Sequence, residues 1–232
     1  MDEAIAQRLV ELNAAFYTRF AAPFADSRAS PQPGFERLLP YLPPGGAVLD
    51  VGCGDGRFAR FLHSRKVAVD YTGIDFSLPL LQKTDPALGR YVERDLSRPN
   101  CLAGFGRYDA VLCLSTLQHI PGRANRLRLL AEMRDHLRPR GTIALANWQF
   151  AESERQLRKV RPWSAAGLEE ADLEAGDTLL AWRRGGEGLR YVALLDIETI
   201  TGMVGELGMR VVEQFRSDGR EGNLNLYTIL AS

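Results

Sequence analysis

The amino-acid sequence predicts an α/β fold, a mostly parallel β-sheet with helices on both faces. Three observations carry that expectation. Ala47 to Val51 is a short apolar, β-rich run that ends in a turn carrying Gly52, Gly54 and Gly56, and Arg57 to Leu62 then takes up helical spacing at Phe58, Phe61 and Leu62. Apolar strands go on alternating with segments of helical period as far as Trp148. The chain closes with a helix and two β-rich runs joined by Ser217-Asp218-Gly219-Arg220-Glu221-Gly222, which reads as an antiparallel hairpin.

The stretch from Val48 to Phe58 organises the rest. A strand that ends in a glycine-rich turn and enters a helix presents unpaired backbone N–H groups beside a crevice, and glycine lets a ligand approach without a Cβ in the way. A nucleotide-like ligand at the carboxyl end of this strand follows, against the plainer alternative of a tight turn with no ligand. The dinucleotide fingerprint G-x-G-x-x-G would need glycine at position 57, where Arg57 stands. No tyrosine has a lysine four residues on, which also speaks against a nicotinamide dehydrogenase.

The pattern Asp50-x-Gly52-x-Gly54-x-Gly56 resembles motif I of the class I S-adenosylmethionine (SAM) methyltransferases. The resemblance implies a Rossmann-like, seven-stranded sheet with an antiparallel last strand, and a loop that wraps the methionine part of the cofactor. It also orders the following segments. Val69 to Asp75 reads as a second strand whose acidic end, Asp75, follows Gly56 by 19 residues, the spacing of a βαβ unit in which a carboxylate accepts both ribose hydroxyls. A strand-end Asp is often only a helix N-cap, but Ser77 is the better cap here, which leaves Asp75 for the ribose. Phe76 joins it on the cofactor side. Tyr91 to Arg94 is a short third strand; in the resemblance Asp95 accepts from the adenine amino group and Leu96 packs on the ring. Tyr108 to Leu114 is a buried strand, and the loop from Ser115 to Ile120 at its end lies beside the sulfonium. Asn125 to Leu137 is a helix, and Pro139-Arg140-Gly141 the turn into a fifth strand, Thr142 to Trp148.

Before the glycine loop, Ile5, Leu9, Leu12, Phe16 and Phe20 form one apolar helical stripe, a packing helix, a lid over the cofactor, or both. A short helix is expected over Phe35 to Tyr41. After Trp148 the alternation breaks, and residues 150–192 read as an insertion on the substrate side. It holds Arg155, Arg158, Lys159, Arg161 and Trp163, an acidic stretch from Glu169 to Asp177, and a hairpin turning at Gly185-Gly186. With opposite charges so close in sequence, solvated faces are the plain reading; phosphates and bases meeting the arginines and tryptophans are the sharper one. The expected organisation is one domain: a helical cap over 1–45, a SAM-binding core over 46–149, the insertion, and a closing helix and hairpin over 193–232.

Composition sets the outer bounds. The 232 residues are 45% hydrophobic and 25% charged, with a formal net charge of +0, so no global attraction to nucleic acid or membrane is expected. The acidic start Met1-Asp2-Glu3 has no leader character, and no apolar run approaches a membrane span. Three scattered cysteines, Cys53, Cys101 and Cys113, suit reduced thiols in a cytoplasm. With His63, His119 and His136 they form no metal-ligand spacing, so no metal is expected.

Within the family, Phe24-Ala25-Asp26-Ser27-Arg28, Gln118-His119, Ala146-Asn147-Trp148 and Arg190-Tyr191-Val192 resemble the tRNA wobble-uridine methyltransferases, which esterify the carboxylate of 5-carboxymethyluridine. The chain departs from that pattern at Gln118, where a His is usual, and after Arg190-Tyr191, where an aromatic-His pair is missing. The expected activity is methyl transfer from SAM to an O or N acceptor. A carboxylate acceptor needs no base; for a hydroxyl or amine, His119 is the candidate base, and Arg28 is the candidate partner for a substrate carboxylate. The neutral net charge points to a small-molecule acceptor, while Arg28 and Trp163 point to tRNA. A SAM-binding module without catalysis is the remaining alternative, and nothing in the sequence identifies a partner protein.

Overall fold

A computed structural model describes residues 1–28 and 30–231. Two helices, α1 (Glu3–Arg19) and α2 (Ala21–Asp26), and a 3₁₀ segment over Pro33–Tyr41 lead to β1 (Ala47–Val51). Then α3 (Arg57–Ser64), β2 (Asp70–Asp75), α4 (Leu78–Leu81), β3 (Arg90–Glu93), β4 (Tyr108–Leu114), α5 (Arg123–Asp135) and β5 (Leu137–Trp148) follow. The insertion holds α6 (Glu154–Leu157), β6 (Val160–Arg161), β7 (Asp177–Trp182) and β8 (Gly188–Ala193), before α7 (Ile197–Glu206), β9 (Arg210–Ser217) and β10 (Asn225–Ala231) close the chain.

Seven strands form one sheet in the order β3-β2-β1-β4-β5-β10-β9. The first five run parallel, and β10 is antiparallel to both β5 and β9, as the fold class requires. All five residues of β1 are buried, because helices cover both faces of the sheet. Leu129, Leu130 and Met133 of α5 pack on one face with Ile200, Met203 and Val204 of α7. Phe35, Phe58, Phe61 and Leu62 pack on the other. Strand order reverses between β1 and β4, so the loops after these two strands diverge and leave a crevice at their carboxyl ends.

Three expectations shift in detail. The short helix expected over Phe35 to Tyr41 is present as a 3₁₀ helix over Pro33–Tyr41. β5 starts at Leu137, opposite Tyr108, rather than at Thr142; the predicted turn is an irregularity inside the strand, with Arg140 at φ +67°. β6 adds a third strand to the expected hairpin of β7 and β8, giving a three-stranded antiparallel sheet.

The buried stripe of α1 is also rotated from the expected one. Ala6, Leu9, Asn13, Phe16 and Tyr17 are buried, while Ile5 and Leu12 are only partly covered. The cause is Asn13, a polar residue in the middle of the stripe. Its amide donates to the carbonyls of His119 (3.3 Å) and Tyr191 (3.2 Å) and accepts from the Tyr191 N–H (2.9 Å). One side chain thus ties α1 to the loop after β4 and to β8. Replacing Asn13 by Ala leaves a buried backbone donor unsatisfied and should destabilise the fold by about 2 kcal/mol. Urea unfolding measures this, as a lower midpoint at unchanged slope; an unchanged midpoint would show that the tie contributes nothing.

Candidate active site

The crevice is built first by the turn after β1. Gly52 has φ +86°, and a Cβ there would lie 2.1 Å from Thr116 Oγ1, so only glycine lets the loops after β1 and β4 pass this closely. Gly54 (φ +56°) donates its N–H to Asp75 Oδ2 at 2.8 Å, and Gly56 (φ +73°) opens α3. Across the gap, Ser115 is held at φ +62°, strained backbone in a residue other than glycine.

Two buried carboxylates face this loop. Asp50 accepts from the Tyr71 hydroxyl through Oδ2 (2.5 Å), while Oδ1 is buried without a partner. Burial pushes its pKa up to about 7, against the lowering effect of the Tyr71 hydrogen bond. Asp75 is raised to about 6, again by burial, although backbone N–H groups lower it. The expectation that Ser77 frees Asp75 by capping α4 needs correction. Ser77 makes no side-chain cap, its Oγ is buried without a partner, and Asp75 Oδ1 accepts the Ser77 N–H at 2.9 Å. Asp75 therefore holds two backbone groups and retains only its remaining lone pairs for a ligand.

Three cavities join here. The first, about 100 Å³, is lined by Asp50, Gly52, Gly54, Asp75, Ser115 and His119 among others. A second lobe of about 240 Å³ lies under α1, between Asn13, Tyr17, Phe76, Asp95, Leu96 and Thr116. Helix α1 is thus both a packing helix and a roof. Asp95 is exposed at this lobe's rim and accepts from the backbone N–H (2.9 Å) and hydroxyl (2.5 Å) of Ser97. The largest cavity, about 880 Å³, shares Arg28, Arg57 and Ser115 with the first, so these three residues form the neck between them.

His119 lines the first cavity and the lobe under α1, with both ring nitrogens engaged. Nδ1 lies 3.0 Å from the Tyr191 carbonyl, which can only accept, so Nδ1 carries the proton. Nε2 then accepts from the Tyr17 hydroxyl at 3.1 Å. Burial, helped by the charges of Arg190 and Arg28, pushes the pKa down to about 3. The imidazole is neutral, and its lone pair is used. Arg28 lies 3.9 Å over the Phe24 ring; burial above all, with Arg190 and Arg57 nearby, lowers its pKa to about 9, which leaves it cationic at neutral pH.

The large cavity carries nine cations, Arg28, Arg57, Arg155, Arg158, Lys159, Arg161, Arg183, Arg184 and Arg190, with Trp148 and Trp182 between them. Among the described residues that line it there is no carboxylate and no histidine. The acidic stretch of the insertion does not neutralise them. Glu174 pairs with Arg126 (2.8 Å) and accepts from the Arg123 N–H, and Asp177 accepts from the Tyr191 hydroxyl (2.7 Å). Glu174 thus turns to α5 and Asp177 to β8 while the bases line the crevice, so these charges, near in sequence, are separated in space. Sequence reading passed over Arg57, seen only as a missing glycine, and Arg190, seen only as part of a tripeptide. Trp163, counted with the arginines, packs instead in the core beside Tyr191.

The described residues hold no cluster of three His, Cys, Asp or Glu side chains placed for a metal, and no helix is long and apolar enough to cross a membrane.

Comparison with known proteins bears on the family and the fold. A family model described as a methyltransferase domain matches residues 24–214. A tRNA (carboxymethyluridine(34)-5-O)-methyltransferase of Arabidopsis thaliana is 26% identical over 155 residues, 66% of this chain and 37% of that protein. A trans-aconitate 2-methyltransferase of Deinococcus radiodurans is 31% identical over 126 residues, 53% of this chain and 45% of that protein. The chain thus spans less than half the length of either relative. In fold it is similar to DhpI, solved as a complex with SAM and HEP, with a TM-score of 0.67, 16% identity, and 97% and 98% of the two chains covered. The chain belongs to the methyltransferase domain family and has the seven-stranded class I methyltransferase fold.

Proposed function

We propose that the methyl acceptor is an ionised carboxylate oxygen, carried on an anionic substrate that enters through the basic cavity. The observation that carries this reading concerns the substrate side: both nitrogens of His119 are engaged, and among the described residues no Asp, Glu or His lines the large basic cavity. A hydroxyl or amine acceptor would have to lose a proton there, whereas a carboxylate is already ionised. The names of two relatives, one for carboxymethyluridine and one for trans-aconitate, both specify acceptors that carry carboxylates.

The crevice fits SAM by its own features. Asp50 Oδ1 is a buried oxygen open to a cationic donor, and the Gly52 turn is a cradle that a Cβ would fill. In this reading the turn and Asp50 hold the methionine end, Asp75 the ribose, and Asp95, Leu96 and Phe76 the adenine, with Ser115 beside the sulfonium. Bound there, SAM supplies an electrophilic methyl group. Arg28 then binds the acceptor carboxylate at the neck by a two-pronged contact and fixes one oxygen in line. Tyr17 and His119 close the wall against water. They position, and they take no proton.

For the carrier, the cavity favours RNA. Nine cations with interleaved tryptophans suit phosphates and bases, and their local concentration removes the argument from neutral net charge for a small acceptor. A small polycarboxylic acid is the second reading, favoured by the trans-aconitate relative.

Two measurements test this. Since the acceptor carboxylate is ionised above about pH 5 and His119 stays neutral, kcat should be flat from weakly acid to weakly alkaline pH. Affinity for SAM should instead rise with pH between about 6 and 7, because Asp75 and Asp50 lose their protons there and only the ionised forms accept from the cofactor. A kcat that climbs with a single pKa near 6.5 would reinstate a base. With total tRNA and labelled SAM, transfer should fall steeply as salt rises. Replacing Arg158, Lys159 and Arg161 together by Ala should lower the log–log salt slope by roughly 2–3 and leave SAM affinity unchanged. No transfer at low salt under saturating SAM would eliminate tRNA and leave the small acid.

A further inference from the structure

Arg190 is 3% exposed and lies on β8 at the wall of the basic cavity. Three rings surround it, Trp148 at 5.0 Å, Phe16 at 5.5 Å and Trp182 of the neighbouring hairpin strand β7 at 5.6 Å from the guanidinium carbon. Its Nε and Nη1 are buried and meet no acceptor. Aromatic faces attract a cation but give its N–H groups no oxygen to bond. Nor is its charge offset within the cavity. After burial itself, Arg190 is a cause of the lowered pKa values of His119 and Lys159, and it also helps lower that of Arg28. A guanidinium caged in this way, among like charges and with open donors, is a poor structural element and a good receptor.

We propose that Arg190 is a second oxyanion subsite, which binds a carboxylate or phosphate group of the acceptor other than the carboxylate that Arg28 presents for methylation. The subsite rests on the reading of an anionic, carboxylate-bearing acceptor. It deepens that reading, because the acceptor must then carry at least two anionic groups. A polycarboxylic acid and a carboxylate on a phosphodiester strand both meet this requirement; a monocarboxylic acid does not. Trp148 and Trp182 would also flank a planar group attached to the second anion, which makes the cage a filter for shape as well as for charge.

The cage supplies its own reporter, since two of the three tryptophans touch Arg190 and the third, Trp163, is buried beside Tyr191. The protein saturated with S-adenosylhomocysteine is titrated at constant ionic strength with inorganic phosphate, glutarate and oligouridylate. Tryptophan fluorescence and melting temperature are both followed. Wild type should show a saturable fluorescence change and a rising melting temperature. A tighter response to oligouridylate than to glutarate assigns the anion to a nucleic-acid backbone, and the reverse order to a polycarboxylic acid. Arg190→Met should weaken the response at least tenfold while S-adenosylhomocysteine binds as before. Its melting temperature without anion should equal or exceed that of wild type, because a buried charge without a counter-ion has been removed. Arg190→Lys, which keeps the charge and loses the planar donors, should lie between. The proposal is overturned if no probe gives a saturable response in wild type, or if Arg190→Met responds as wild type does. A lower melting temperature for Arg190→Met, with no stabilisation of wild type by phosphate, would also overturn it and make Arg190 a structural cation. If the anion response is present but no carboxylate is ever methylated, the subsite stands and the transfer reading fails.

Discussion

Everything at the site depends on how closely the loops after β1 and β4 approach where strand order reverses. Gly52 has room for no side chain against Thr116, and this contact sets the width of the crevice. It places the carboxylates of the β1 and β2 ends on one side and Ser115 and His119 on the other. Backbone strain at Ser115 is held by the same junction, whose N–H is anchored to the Ala146 carbonyl at 2.8 Å. The sheet thus supplies position, and the flanking segments supply chemistry.

Charge is sorted around this junction. On the cofactor side, buried carboxylates accept few hydrogen bonds and are pushed toward the neutral form, a state that a cationic donor would reverse. On the substrate side, guanidinium groups line one cavity that has no acid among its described lining residues, and of these cations Arg158 alone pairs with a carboxylate, the exposed Glu154 at 4.0 Å. The two sides meet at a neck made by Arg28, Arg57 and Ser115. An anion entering from one side and a sulfonium from the other would each be drawn to the neck by its own partners. Neither arrangement stabilises the free protein. Both are consistent with binding energy being stored for ligands.

Much of this was legible in the sequence, for identifiable reasons. The step from a continuous apolar strand through a glycine turn to helical spacing takes place within a dozen residues, and Arg57 at the third glycine position separates the pattern from a dinucleotide site. Arg28 and His119 were legible as polar residues in segments that the fold sends to the crevice. The state of His119 was not, because its two partners, Tyr17 and the Tyr191 carbonyl, come from α1 and β8. Arg190 is a harder case. It sits in a hairpin rich in charge, and its burial depends on Trp182 of the same hairpin and on Phe16 and Trp148, which are far from it in sequence. The separation of acids from bases in the insertion was hidden for a similar reason. Glu174 finds Arg126 on α5, and no local pattern announces a contact across 48 residues.

The central claim is that the site esterifies a carboxylate, and the chemical stability of the product tests it most directly. Acceptor methylated from methyl-labelled SAM is treated with mild alkali and the volatile label is collected. A methyl ester hydrolyses and releases labelled methanol, whereas a methyl ether or a methylamine retains its label. Near-complete release of the label as methanol is the predicted result; a product whose label survives alkali would contradict the account.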